Sequence, residues 1–275
     1  TSPPLSTFSR TLHGAMCATI ICGNGTRESP YEFGIAPEAK WAAVIGGLFH
    51  LEDAVEWAVL QSADTYSMSF AHPKLEEYRS HLRKIFEHGA FCGIFFVSGA
   101  GNFAETTQVP VQMRSPEDTP AVVFAAAGVQ RDQSRTKFSS QGPVRWATEH
   151  YQDGMVRNPE VCAFNQDLPC QLPHGNVIDV QISGNSFAGP MFCGTMSLML
   201  SADSDLLPWD CREIITQTAT DIGVPGYDYQ AGHGLINRHA AAREVLRRKA
   251  VQNGTDAVNY EPAGIRDTTE HRQAS

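Results

Sequence analysis

A chain of 275 residues can hold one large domain around a single core, and 42% apolar with 19% charged residues is ordinary for a globular enzyme-sized domain. A formal net charge of −9 argues against nucleic-acid binding, which needs surplus Lys and Arg on one face. No apolar run approaches the roughly 18 to 20 residues of a membrane span, so neither nucleic acid nor membrane is an expected partner.

The chain begins on Thr1 and carries no signal-like segment, so a processed or shortened form is expected. Compartment stays open between secreted and cytoplasmic. Early in the chain "LHGAMCATIICG" places His13 at the opening of an apolar helical run. The short apolar runs 41–47, 64–70, 91–99, 121–129 and 176–182, bounded by Gly, Pro or charge, predict strands. Helical patterns lie between them. Residues 50–62 put Leu51, Val55, Ala58 and Val59 on one face, and 73–89 start with Pro and stop at Gly. "DLLPWDCREIITQTA" and "NRHAAAREVLRRKA" predict two more helices near the C-terminus. This βαβα order gives an α/β fold, a mainly parallel sheet with helices on both faces. Residues 130–175 are polar, proline-bearing and aperiodic, so they read as loop-rich. The expected division is one domain over 1–250 and a loosely held tail over 251–275.

Seven cysteines form no C-x-x-C pair, which excludes a zinc ribbon or a dense disulfide framework. Most lie in apolar stretches as small hydrophobes, while Cys162 and Cys170 flank a loop and could be bridged.

"IFFVSGAGNFAETT" contains Gly99-Ala100-Gly101-Asn102-Phe103-Ala104, which fits the G-x-G-x-x-G/A dinucleotide fingerprint. That fingerprint needs a helix directly after the turn to receive the pyrophosphate. Pro110, Pro116 and Pro120 leave no room for one, so the context fails. The third chemistry-bearing segment is "SGNSFAGPMFCGTMSLML", where Ser186 heads a long apolar helix. There unpaired N–H groups and the positive dipole end can hold a developing anion. Taken singly, His13 reads as a surface or capping residue, Ser186 as an N-cap and Asn102 as a turn residue.

Together, and in this order, they resemble the subtilisin-like serine proteases, the subtilases. "HGAMCATIICG…GIAPEAKWAAV" is similar to the family's His motif and following turn, and "DTYSMSFAHP" to its cleft-lining segment. "FFVSGAGN" resembles its oxyanion loop, "GNSFAGP" its nucleophile motif and "GYDYQAGHGLINRHAAAREVL" its closing turn and helix. The resemblance covers roughly residues 11 to 250 and implies a three-layer subtilisin-like sandwich. It implies Ser186 as nucleophile, His13 as general base and Asn102 in the oxyanion hole of a serine endopeptidase acting on a peptide or protein. It also implies that Ser69, Phe70 and Ala71 form one cleft wall, and Ala100 and Gly101, with Asn102, the other. Small residues there, with no charge nearby in sequence, favour an apolar side chain in the first pocket. Cys17, one helical turn after His13, is similar to the thiol of the proteinase K-like members, which implies inhibition by mercurials without a catalytic thiol.

The family's triad also needs an acid upstream of the histidine. The twelve residues before His13, "TSPPLSTFSRTL", hold no Asp or Glu, so the acid is expected from a separate N-terminal segment or is lacking. In the latter case the chain is a catalytically impaired peptide-binding module. No cofactor is required. Structural calcium stays open in the 23–33 loop, with Asn24 a candidate ligand but few carboxylates.

Overall fold

The computed structural model describes residues 5–26, 29–44, 48–170 and 180–254. Its elements run α1 (Leu5–Cys22), β1 (Asn24–Thr26), β2 (Ser29–Phe33), α2 (Leu51–Leu60), β3 (Thr65–Met68), α3 (Tyr78–Phe91), β4 (Phe95–Gly99) and β5 (Val123–Val129). Then follow β6 (Val144–Trp146), β7 (Gly154–Val156), β8 (Val161–Phe164), β9 (Leu168–Cys170), β10 (Val180–Ile182), α4 (Asn185–Ala202), α5 (Pro208–Thr218) and α6 (Arg238–Gln252).

The central sheet has the order β3-β4-β5-β8 and every pairing in it is parallel. Its registers align Thr65 with Phe95, Val97 with Phe124 and Ala126 with Val161. All residues of β4 and β5 are buried, so alternate side chains serve opposite faces. Phe95, Val97, Phe124 and Ala126 pack on α4, with α5 and α6 outside it. Phe96 and Val123 point the other way, onto Leu51 and Val55 of α2 and Leu82 and Phe86 of α3. Helices therefore cover both faces, as the βαβα order requires. The apolar positions of α3 fall at Leu82, Ile85, Phe86 and Gly89, one stripe of a 3.6-residue period. α4 is instead buried almost all round, because sheet, α1 and α6 all close on it.

Several boundaries differ from the sequence expectations. Residues 41–44 are irregular and exposed, not a strand, and 45–47 lie outside the described residues. Among the described residues β3 is an edge of the sheet, and 41–44 do not pair with it. Of 176–182 only Val180–Ile182 is described, and it pairs antiparallel with β9 away from the central sheet. The loop-rich reading of 130–175 missed β8, whose four residues contribute buried Val161, Cys162 and Ala163 to the core. Helix α1 begins eight residues before His13, which sits inside it and not at its opening. α6 runs through Gln252, past the start expected for the tail, and 255–275 lie outside the described residues. Cys162 is a free thiol, so the Cys162–Cys170 bridge is not formed.

Candidate active site

β4 delivers its chain into the loop Ala100–Gly101–Asn102 beside the first turn of α4, and two glycines make that approach possible. A Cβ on Gly99 would run into the Asn185 carbonyl, and one on Gly189 would lie 2.7 Å from the Gly99 nitrogen. Strand end and helix start thus meet backbone to backbone. No helix follows the glycine loop. The chain from 100 to 122 has no regular element, so the dinucleotide alternative lacks its second half.

Asn185 organises this junction. It is buried, and its backbone N–H donates to Asn102 Oδ1 at 2.8 Å. Its side-chain nitrogen donates to the Gly101 carbonyl at 2.6 Å and to Ser139 Oγ at 3.0 Å, while its oxygen accepts from Asn165 Nδ2 at 2.7 Å. Because a backbone N–H can only donate, the Asn102 oxygen must face Asn185, which turns the Asn102 amide NH2 away from it. That NH2 has no recorded protein acceptor, and Asn102 is exposed. Gly101 adopts φ of +89°, a conformation a side chain would strain. Its carbonyl is held twice, by Asn185 and by the Ser140 N–H at 2.9 Å.

Ser186, the second residue of α4, is half-buried. Its own N–H belongs to the first-turn donors that no helical carbonyl reaches. Its carbonyl would normally accept from the residue four positions on, but that residue is Pro190, which has no N–H. Ser69 Oγ takes the place of the missing donor at 2.9 Å, and Cys17 Sγ lies 3.4 Å from the same oxygen. The segment after β3 and the His13-bearing helix are thereby tied to the backbone of Ser186. His13 is one turn before Cys17 on α1, and its ring packs against Phe187 with centroids 5.6 Å apart. Burial holds its pKa below the usual 6.5, and no carboxylate among the described residues pairs with it. The Cys17 thiol, also buried, is pushed up to about 11.

The remaining expected positions are distributed as follows. Phe70 is exposed with its ring against His72, and Ala71 is half-buried. Neither has a recorded backbone partner, although the next N–H, that of His72, donates to the Ser115 carbonyl at 2.7 Å. Ala100 is fully buried and its N–H is bound to Ala126 O, so it faces the cleft only through its backbone. The fold brings close to Asn102 a charge that the expectation of an uncharged first pocket did not weigh. Arg114, distant along the chain, lays its guanidinium on the Phe103 ring, 3.4 Å from the centroid. The 23–33 loop forms the β1–β2 hairpin with Asn24 opposite Phe33. No cluster of three His, Cys, Asp or Glu occurs among the described residues, so no calcium site is assigned. No helix among them is long and apolar enough to cross a membrane.

Sequence reasoning missed Asn185 because Gly-Asn before a helix reads as ordinary capping. Its signal was burial, which only the fold reveals.

The chain is similar to known proteins. The chain is 26% identical over 255 residues to a probable subtilase-type serine protease of Deinococcus radiodurans, covering 88% of this chain and 33% of that protein. It is 26% identical over 218 residues to subtilisin DY of Bacillus licheniformis, covering 76% of this chain and 70% of subtilisin DY. The chain thus spans about a third of the Deinococcus relative and most of the Bacillus one. Its fold is similar to the crystal structure of MycP1 with the N-terminal propeptide removed, at TM-score 0.65 and 22% identity, covering 84% of this chain and 78% of that one. The model of the subtilase family matches residues 5–234, and the chain belongs to that family.

Proposed function

We propose that this chain is a serine endopeptidase domain that works through an acyl-enzyme on Ser186. The supporting observation is the Asn185 N–H bond to Asn102 Oδ1, which leaves the Asn102 NH2 free beside Ser186. Ser186 Oγ attacks the scissile carbonyl and forms the new C–O bond while its proton passes to His13. The carbonyl oxygen becomes an oxyanion held by Asn102 Nδ2 and the Ser186 N–H. Collapse breaks the C–N bond, and His13 returns the proton to the departing amine. Water then repeats the sequence on the ester. The substrate backbone lies along Ser69, Phe70 and Ala71 as an added strand, with Ala100 and Gly101 opposite. No cofactor takes part.

The carboxylate that would fix the His13 tautomer is supplied, on this reading, by a separate N-terminal segment. A fluorophosphonate probe tests the assignment: it labels Ser186 and fails on Ser186→Ala. Absence of labelling, even with an Asp-bearing N-terminal segment supplied, overturns it. That no carboxylate among the described residues pairs with His13 favours a second reading, an impaired subtilase-like module that binds peptides without turnover. It expects peptide affinity indifferent to Ser186→Ala and no labelling.

A further inference from the structure

The side chain that enters the first pocket belongs to the residue whose carbonyl is attacked. It therefore hangs within one residue's reach of Asn102, and whatever lies between the two cleft walls there selects it. Arg114 and its neighbour Ser115 touch residues next to both expected walls. On one side the guanidinium stacks on Phe103, the neighbour of Asn102. On the other, Ser115, the next residue, accepts the His72 N–H directly after Phe70 and Ala71.

A guanidinium stacked by its face keeps its N–H groups pointing outward in its plane. One of them donates to Thr107 Oγ1 at 3.2 Å, and no carboxylate among the described residues forms an ion pair with Arg114. Two acids lie close in sequence, and neither neutralises it. Asp118 is engaged by Arg79 at 3.4 Å and by Ser115 Oγ at 2.8 Å. Glu117 packs against Gly101 and bonds the backbone N–H of Arg114 at 3.2 Å, not its guanidinium. Glu117 is fully buried with one oxygen unpartnered, and burial pushes its carboxyl well above the usual range, so the neutral acid is favoured. Among the described residues, then, no carboxylate is hydrogen-bonded to the half-buried Arg114 guanidinium, although Glu117 lies near enough to feel its charge.

We propose that Arg114 selects the side chain at the cleavage position, and that it selects an acidic one, aspartate or glutamate. A carboxylate there takes two parallel N–H bonds from the guanidinium edge. The proposal rests on the peptide cleft of the preceding section, but it can be read without turnover.

The test uses the Ser186→Ala chain and fluorescein-labelled, alanine-flanked hexapeptide amides that differ at one residue: Glu, Gln, Lys or Leu. Anisotropy titration should give about tenfold or greater preference for Glu over Gln, the value of a charge-assisted contact. Arg114→Gln should remove that preference, Arg114→Lys should keep part of it, and Arg114→Glu should turn it toward Lys. Thermal unfolding of each variant separates loss of fold from loss of selection, and Arg114→Lys carries the test if Arg114→Gln does not fold. Equal affinities for Glu and Gln, tightest binding of Leu, or a preference that survives Arg114→Gln overturns the proposal. Fluorophosphonate labelling of Ser186 without Glu preference removes the pocket assignment alone. Glu preference without labelling removes the catalytic reading and leaves the pocket. If no peptide binds, the proposal falls.

Discussion

Around Asn185, four hydrogen bonds of 2.6 to 3.0 Å join α4 to Gly101, Asn102, Ser139 and Asn165. Around His13, the recorded contact is one ring packed on Phe187. The Ser186 side of the cleft is held by a buried polar network around Asn185, in which Asn165 Oδ1 is left without a partner among the described residues. Such networks fix a unique geometry because any member left unpaired is costly. The base side is placed by helix packing and apolar contact, which position a ring but do not choose its tautomer. On the proposed reading, the oxyanion hole is thus held more firmly than the base.

The largest effect should come from completing the weaker side. If an Asp-bearing N-terminal segment supplies the acid, the labelling rate of Ser186 should rise by up to about 10⁴, the scale on which a triad depends on its acid. An Asn-bearing segment should leave it near the starting rate, and equal rates with both would break the contrast. The pH profile gives the sign. Burial keeps the lone His13 below its usual 6.5, so labelling should persist as pH falls through 6.5, and a carboxylate partner should move that limb upward. Linkage runs the same way: below 6.5 the unfolded chain takes the proton first, so this group's contribution to stability is lost as pH falls toward its folded pKa.

Next comes the strong side. Asn102→Leu removes the free donor and should lower the acylation rate of Ser186 about 10²- to 10³-fold, at a cost in unfolding of about 1 to 2 kcal/mol because it also strips the acceptor from the Asn185 N–H. Unchanged acylation would mean that the Asn102 NH2 does not meet the reacting oxygen. Asn185→Ala should act on the fold instead. It strips partners from Gly101 O, Ser139 and Asn165 in a buried site, so denaturant unfolding should show a loss of about 2 to 3 kcal/mol. A loss under about 0.5 kcal/mol would show that the network is not the lock described above.

What the sequence revealed follows the same division. His13, Asn102 and Ser186 stood out as candidates because each combines a reactive residue type with glycines and an adjoining apolar element. The sheet strands 95–99 and 123–129 were legible as continuous apolar runs, the signature of strands buried on both faces, whereas 65–68 is a half-buried edge strand. Asn185 was not, since an asparagine before a helix looks the same whether it is solvated or holds four bonds. Arg114 was not, because it reaches Phe103 through the fold and not through the loop they flank. β8 was hidden by length, four residues between Glu160 and Asn165 carrying too little pattern for a period.

The smallest effect should be at Cys17, the link between the two sides. Its sulfur lies 3.4 Å from Ser186 O, but Ser69 Oγ already holds that oxygen at 2.9 Å. Cys17→Ala should therefore cost less than about 1 kcal/mol and change labelling of Ser186 by no more than a few fold, as expected for a weak thiol donor. With its pKa pushed up to about 11 by burial, Cys17 should also alkylate slowly at neutral pH, after the exposed Cys92. A mercurial that does reach Cys17 should behave differently from the alanine variant. The adduct puts a heavy group where a thiol barely fits, displacing the Ser186 carbonyl and the first turn of α4. Loss of labelling by mercury in the parent chain but not in Cys17→Ala would place the sulfur beside the nucleophile without giving it any part in the chemistry. Equal sensitivity of both chains would move the effect to another cysteine.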